Sequence, residues 1–152
     1  VRPVLAAGLG NPLLTDEGIG IAVIDALADS HGDLMPAVEF LDLGTSMMRA
    51  VHAMACRRKA VFVDCAFMGA EPGEWRRFLP DDVRSVKRMA HFSLHEGDLL
   101  QAIGISRAAG ECPGDIVLFG IQPASIEPGL ELSRTLAGRL AEYADAVAAE
   151  LP

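Results

Sequence analysis

Short apolar runs alternate with stretches of helical periodicity along the chain. Residues 4–7 (VLAA) are uninterrupted apolar and closed by Gly8, which predicts a strand buried on both faces. Across residues 17–28, Ile21, Ile24 and Ala28, flanked by Val23 and Leu27, recur at helical spacing and predict a helix with a wide apolar face. Residues 38–43 (VEFLDL) predict a second strand. Thr45 or Ser46 can cap a following helix through residue 56, and Arg57, Arg58 and Lys59 suit its negative end. Residues 60–65 (AVFVDC) predict a third strand, apolar until Asp64. Pro72-Gly73 marks a turn, and residues 74–78 predict an antiparallel edge strand. Ser93 and Glu96 have the spacing of a capping box, predicting a helix that runs to Ile103 and stops at Gly104. Residues 116–121 (IVLFGI) predict another buried strand, and Ser133 caps a last amphipathic helix ending at Leu151.

This alternation predicts an α/β fold: a three-layer sandwich with a twisted, mostly parallel sheet, helices on both faces and one antiparallel edge strand. No repeat or linker divides the 152 residues, so residues 1–152 are expected to form a single domain. A hydrophobic share of 51% against 22% charged is enough to fill a core and excludes extended disorder.

Charge narrows the function classes. The formal net charge of −8 argues against nucleic acid and anionic membrane as partners, since both demand clustered Lys and Arg. Cys56, Cys65 and Cys112 form no CxxC and are an odd set, as expected of reduced thiols in a cytoplasmic protein. No apolar run approaches the ~20 residues needed to span a bilayer. The first residues lack the layout of a secretory signal, because their apolar run ends in a glycine-proline turn.

In open α/β sheets, ligands bind beyond the carboxyl ends of the strands. Four stretches should reach that edge: 8–20, 42–46, 64–68 and 93–96. Together they offer Asp16, Glu17, Asp42, Asp64 and His95. Residues 8–20 (GLGNPLLTDEGIG) resemble a phosphate loop, yet Leu13 stands where the dinucleotide fingerprint needs Gly or Ala, and Pro12 precedes it. Asp42 does mimic the ribose-binding acid of a dinucleotide fold. However, Asp16 and Glu17 would repel a pyrophosphate at the helix start. No Gly-Lys-Ser/Thr follows, which excludes a P-loop.

A cation suits these residues better. Glu17, Asp64 and His95 make a set of two carboxylates and one imidazole that neutralises a divalent ion and leaves coordination positions open. Zinc, nickel and iron all tolerate such a set. Each residue also has a plainer reading. Asp16 is expected to cap the first helix. The helix dipole accounts for Glu17 as well as ligation does, and His95 can simply cover a helix start. Asp64 is the hardest to set aside, because a carboxylate ending an apolar strand needs a partner. His31 lies in a polar stretch, His52 at a possible core-facing position of the second helix, and His91 off the face of His95. Leu99 replaces the second histidine of a zincin motif, and there is no G-x-S-x-G elbow. Cys65 is expected to be a small buried strand residue rather than a nucleophile.

GLGNPLLTDEGIG, VEFLDLGTSM, AVFVDCAFMGAEPGEW, SLHEGDLL and VLFGIQPASIEPGLELS follow one another in this order. Over nearly its whole length the chain resembles the NiFe-hydrogenase maturation endopeptidases. The resemblance implies a five-stranded α/β fold in a cytoplasmic, monomeric enzyme. Its implied reaction removes the C-terminal extension of a hydrogenase large-subunit precursor after nickel insertion. It implies Glu17, Asp64 and His95 as the metal-contacting and catalytic residues. Asp42, before Gly44 and Thr45, is implied in substrate handling. The nickel is implied to arrive with the substrate, and other divalent ions can take the same site in vitro. The glycines would then let the chain approach the substrate closely. Leu43 departs from many relatives, which carry glycine there. A non-cleaving, metal-checking chaperone would use the same residues, and a dinucleotide-binding oxidoreductase is the more distant alternative.

Overall fold

The computed structural model describes residues 1–82, 93–94 and 97–152, with residues 93, 94, 97 and 98 described by their secondary structure alone. Its elements are β1 (Val4–Gly8), α1 (Ile19–His31), β2 (Val38–Asp42), α2 (Met47–Met54), β3 (Lys59–Phe67), β4 (Trp75–Phe78), β5 (Ser93–Leu94), α3 (Gly97–Ala108), β6 (Asp115–Ile121), α4 (Arg134–Ala137) and α5 (Leu140–Ala148). The main path of the sheet runs β2-β1-β3-β6-β4. β1 is parallel to β2 and β3, β3 is parallel to β6, and β4 closes the edge antiparallel to β6. β5 adds a two-residue antiparallel pair to the end of β3.

Both faces of the sheet are covered. Leu5, Ala7, Ala60, Phe62, Ile116 and Leu118 pack against Ala50 and Met54 of α2 and Leu99, Ala102 and Ile103 of α3. On the other face, Val4, Ala6, Val61, Val63, Val117 and Phe119 meet Ile19, Val23, Ile24 and Leu27 of α1 and Tyr143 and Val147 of α5. Burial on both sides is why the strands read as unbroken apolar runs. It also places Asp64: Val63 and Cys65 belong to the α1–α5 face. By strand alternation Asp64 therefore shares the α2–α3 face with Phe62 and Ala66.

Five local expectations need correction. β3 does not end at residues 64–65, because pairing of Ala66 and Phe67 with β5 carries it to Phe67. Ser93 is not a helix cap: its backbone joins that ladder, and α3 begins at Gly97. Gly104 does not stop the helix, which continues to Ala108; an internal glycine costs about 1 kcal/mol, less than the burial of neighbours such as Ile103 supplies. Ser46 does cap α2, accepting from the Arg49 amide, but the helix ends at Met54 because Ala55 is extended and Cys56 is left-handed. Ser133 caps as predicted, accepting from the Leu136 amide, yet the last helix divides into α4 and α5 where Arg139 leaves helical geometry at φ −112°.

Candidate functional site

Three strand ends are sewn together at the carboxyl edge of the sheet. The Leu9 amide donates to the Val63 carbonyl (2.9 Å), the Leu43 amide to Gly8 (3.0 Å) and the Gly10 amide to Gly44 (2.8 Å). From Gly10 the chain folds back through a single 3-10 turn, Thr15–Gly18, before α1. The glycines of residues 8–20 serve this folding-back. A Cβ on Gly8 would stand 2.6 Å from the Gly20 carbonyl oxygen. At Gly10, whose φ is +131°, it would stand 2.0 Å from the Glu17 carbonyl oxygen. Gly8 and Gly10 thus admit the loop's own backbone.

Gly10 lies between the backbone of Glu17 and the side chain of Asp64. Its Cβ position, hard against the Glu17 carbonyl, also lies 3.9 Å from Asp64 Oδ1. Asp64 is 1% exposed and stands opposite Gly120 in the β3–β6 ladder, so it lies within the strand rather than at its end. Burial pushes the Cys65 thiol well up, and the charges of Asp64, Glu17 and Asp16 push it further. Cys65 is therefore a protonated core thiol, unsuited to nucleophilic attack. His95 lies outside the described residues, as does His91. Among the described residues, no group of three or more His, Cys, Asp and Glu side chains is placed to hold a metal ion.

Asp16 does something the sequence does not suggest. The cap position of α1 is Gly18, with no side-chain bond. Asp16 is instead fully buried. Its Oδ2 accepts from the amides of Ala124 and Ser125 (both 2.9 Å), and its Oδ1 from the amide of Ser133 (2.8 Å). Gln122 is a second unanticipated tie: its Oε1 accepts from the Met68 amide at 2.7 Å and holds the loop after β3. Neither role leaves a local signal, because each joins segments distant in sequence.

The loop after β2 stands beside this edge. Asp42 is exposed, and its Oδ1 accepts from the Gly44 amide at 2.8 Å. Gly44 takes φ +55° and reaches the site through its carbonyl bond to Gly10. Thr45 is exposed. Leu43 is 1% exposed within the α2–α3 core, which absorbs its departure from glycine. His52 is exposed rather than core-facing, and His31 meets the Ser30 hydroxyl.

The model of the family described as hydrogenase maturation protease matches residues 21–150. This chain belongs to the hydrogenase maturation protease family. The hydrogenase 2 maturation protease of Escherichia coli (strain K12) is 30% identical over 149 residues, 97% of this chain and 90% of that protein. The hydrogenase expression/formation protein HupD of Rhodobacter capsulatus is 30% identical over 139 residues; the match covers 90% of this chain but 65% of HupD. The solved hydrogenase maturating endopeptidase of E. coli superposes with a TM-score of 0.82 at 29% identity, covering 97% of this chain and 90% of that one. A NiFe hydrogenase maturation protease from Thermococcus kodakarensis shares the fold, with a TM-score of 0.81 at 21% identity over 98% of this chain and 99% of that one. The five-stranded path with its antiparallel edge is thus the maturation protease fold. Among the described residues, no helix of this maturation protease is long and apolar enough to cross a membrane.

Proposed function

We propose that this maturation protease is a cytoplasmic, monomeric endopeptidase that removes the C-terminal extension of a nickel-loaded NiFe-hydrogenase large-subunit precursor. The observation that carries the reading is that the backbone of Glu17 and the side chain of Asp64 both close on Gly10, at the ligand-binding edge of a maturation protease fold. Carboxylate oxygens, joined by the imidazole of His95, are donors that nickel and other divalent ions accept. Two acids and one histidine are too few to enclose an ion. They suit one that arrives on the substrate with ligands of its own, so nickel is read here as cargo.

Hydrolysis adds water to the scissile carbonyl and returns a proton to the departing amine. A bound divalent ion supplies Lewis-acid assistance at such a carbonyl. The chain's own contribution is charge and position. Asp64 is withdrawn from solvent, so its field is weakly screened. Glu17 is less buried, on the turn that faces Asp64 across Gly10. A carboxylate there that is not engaged with the ion can hold the proton of the attacking water. Asp42, Gly44 and Thr45 line the neighbouring loop, where the substrate chain would pass. Exposed apolar side chains at this edge, Leu13 and Leu130 on loops and Phe67 at the end of β3, suit a polypeptide substrate.

The deciding experiment incubates the protein with nickel-loaded precursor and weighs the product. Loss of a C-terminal peptide is expected, and His95→Ala should abolish it while leaving the circular dichroism spectrum unchanged. Binding with unchanged precursor mass would instead identify a metal-checking chaperone.

A further inference from the structure

We propose that Asp16 is a positioning residue: its carboxylate latches the Glu17 turn to the loop after β6 and to the start of α4, and so sets where Glu17 stands. Its bearing on catalysis rests on the functional reading above; the latch itself rests on geometry. Asp16 is fully buried, and its two oxygens accept from three amides contributed by two separate segments. Such charge-assisted bonds are stronger and more directional than neutral ones. They also close a double loop whose backbones are already laced. The Thr15 amide donates to Gly129 (2.9 Å), the Gly129 amide to Leu13 (2.8 Å) and the Asp16 amide to Ser125 (3.1 Å). The Thr15 hydroxyl donates to the Ser125 carbonyl at 2.8 Å.

The lacing holds the turn in a shape it would not choose alone. Thr15 has φ +49°, a left-handed conformation unfavourable for a β-branched residue. Glu17 follows two residues later, its own amide donating to Leu14 at 3.1 Å and its carbonyl pressed against Gly10. The turn is therefore fixed from two sides, by Gly10 toward β3 and by Asp16 toward the loop after β6. Release of the Asp16 side leaves the strands and helices of the core in place and frees the segment that carries Glu17.

The test uses the full chain with Asp16→Asn, which keeps the shape but turns an amide donor toward backbone N–H groups. Residue-resolved hydrogen exchange should show the amides of Glu17, Ala124, Ser125 and Ser133 exchanging about tenfold faster, with β1 and β3 amides unchanged, as local opening requires. On nickel-loaded precursor, kcat should fall by about 100-fold, the scale of a ~1 Å misplacement, with KM little changed. Adding Glu17→Gln to this variant should cost little more, because both act through one group. Equal loss of protection in β1 and β3, or a folded Asp16→Asn protein with unchanged kcat, would overturn the latch.

Should Asp16→Asn fail to fold, Ser133→Pro removes a single N–H at φ −58°, an angle proline accepts. Ser133→Ala, which keeps that N–H and loses only the hydroxyl cap, is its control. Faster Glu17 exchange in the proline variant alone upholds the latch, and equal behaviour of the two overturns it. If the wild-type chain does not cleave, the functional reading falls, and the exchange measurements still decide whether Asp16 holds Glu17.

Discussion

Gly20 sits directly on the backbone of Val63: a Cβ at residue 20 would lie 2.1 Å from the Val63 carbonyl oxygen. That oxygen already accepts the Leu9 amide at 2.9 Å, so it cannot yield without breaking the seam between β1 and β3. Gly20→Ala should therefore push α1 off the sheet and destabilise the protein by about 3 kcal/mol, the upper range for overpacking. Urea unfolding measures this, and a loss below about 1 kcal/mol would show that the helix shifts freely.

Asp64→Asn keeps the side-chain volume and removes the buried charge. If the acid acts at the reacting bond, processing should fall by at least about 100-fold, the low end for a group taking direct part in proton transfer. Circular dichroism should stay native. Processing of the nickel-loaded precursor at the wild-type rate would remove Asp64 from the site.

The layered architecture was legible because burial on both faces forces runs such as VLAA and IVLFGI, whose length and apolarity only a covered parallel strand explains. That the loop after β1 and residue 64 share one edge was legible too, because β1 and β3 are neighbours in the sheet. Ser93 was misread because a cap and an extended strand residue look alike locally, and the free edge at the end of β3 decided between them. Asp16 resisted reading for a different reason. Its donors lie 108 to 117 residues away, so no spacing near Asp16 records them. A buried acid held by amides so distant in sequence is the kind of residue whose role only tertiary structure reveals.

Glu150 gives a pH signature. It bonds Arg77 and, at 3.2 Å, Lys59, tying α5's end to β4 and β3. The Arg77 hydrogen bond, followed by that of Lys59, holds its carboxyl below the usual value. A depressed carboxylate stabilises the fold above the unfolded-state value, and this is lost as pH falls through the lower folded value. Arg77 is half exposed, which limits the network to about 0.5–1 kcal/mol. Glu150→Gln should therefore lower Tm at neutral pH, and the gap to wild type should close in acid. A gap that persists below the carboxylate range would assign the effect to packing.

The Gly129 amide donates to the Leu13 carbonyl and so brings Leu130, the next residue, near Leu13, yet the two leucine side chains are 60% and 80% exposed. Two neighbouring leucines held in water by a laced double loop make sense if a polypeptide substrate covers them. Replacing both with Asp leaves the core untouched, so Tm should hold within a few degrees. Covering an exposed leucine contributes about 1.5–3 kcal/mol when complete, and partial coverage of the pair should raise KM by about tenfold, or 1.4 kcal/mol. Because neither side chain is at the reacting bond, kcat should be unchanged. Initial-rate kinetics on nickel-loaded precursor separate the two constants. A fall in kcat with constant KM would place these leucines in the geometry of the site and not in the capture of its substrate.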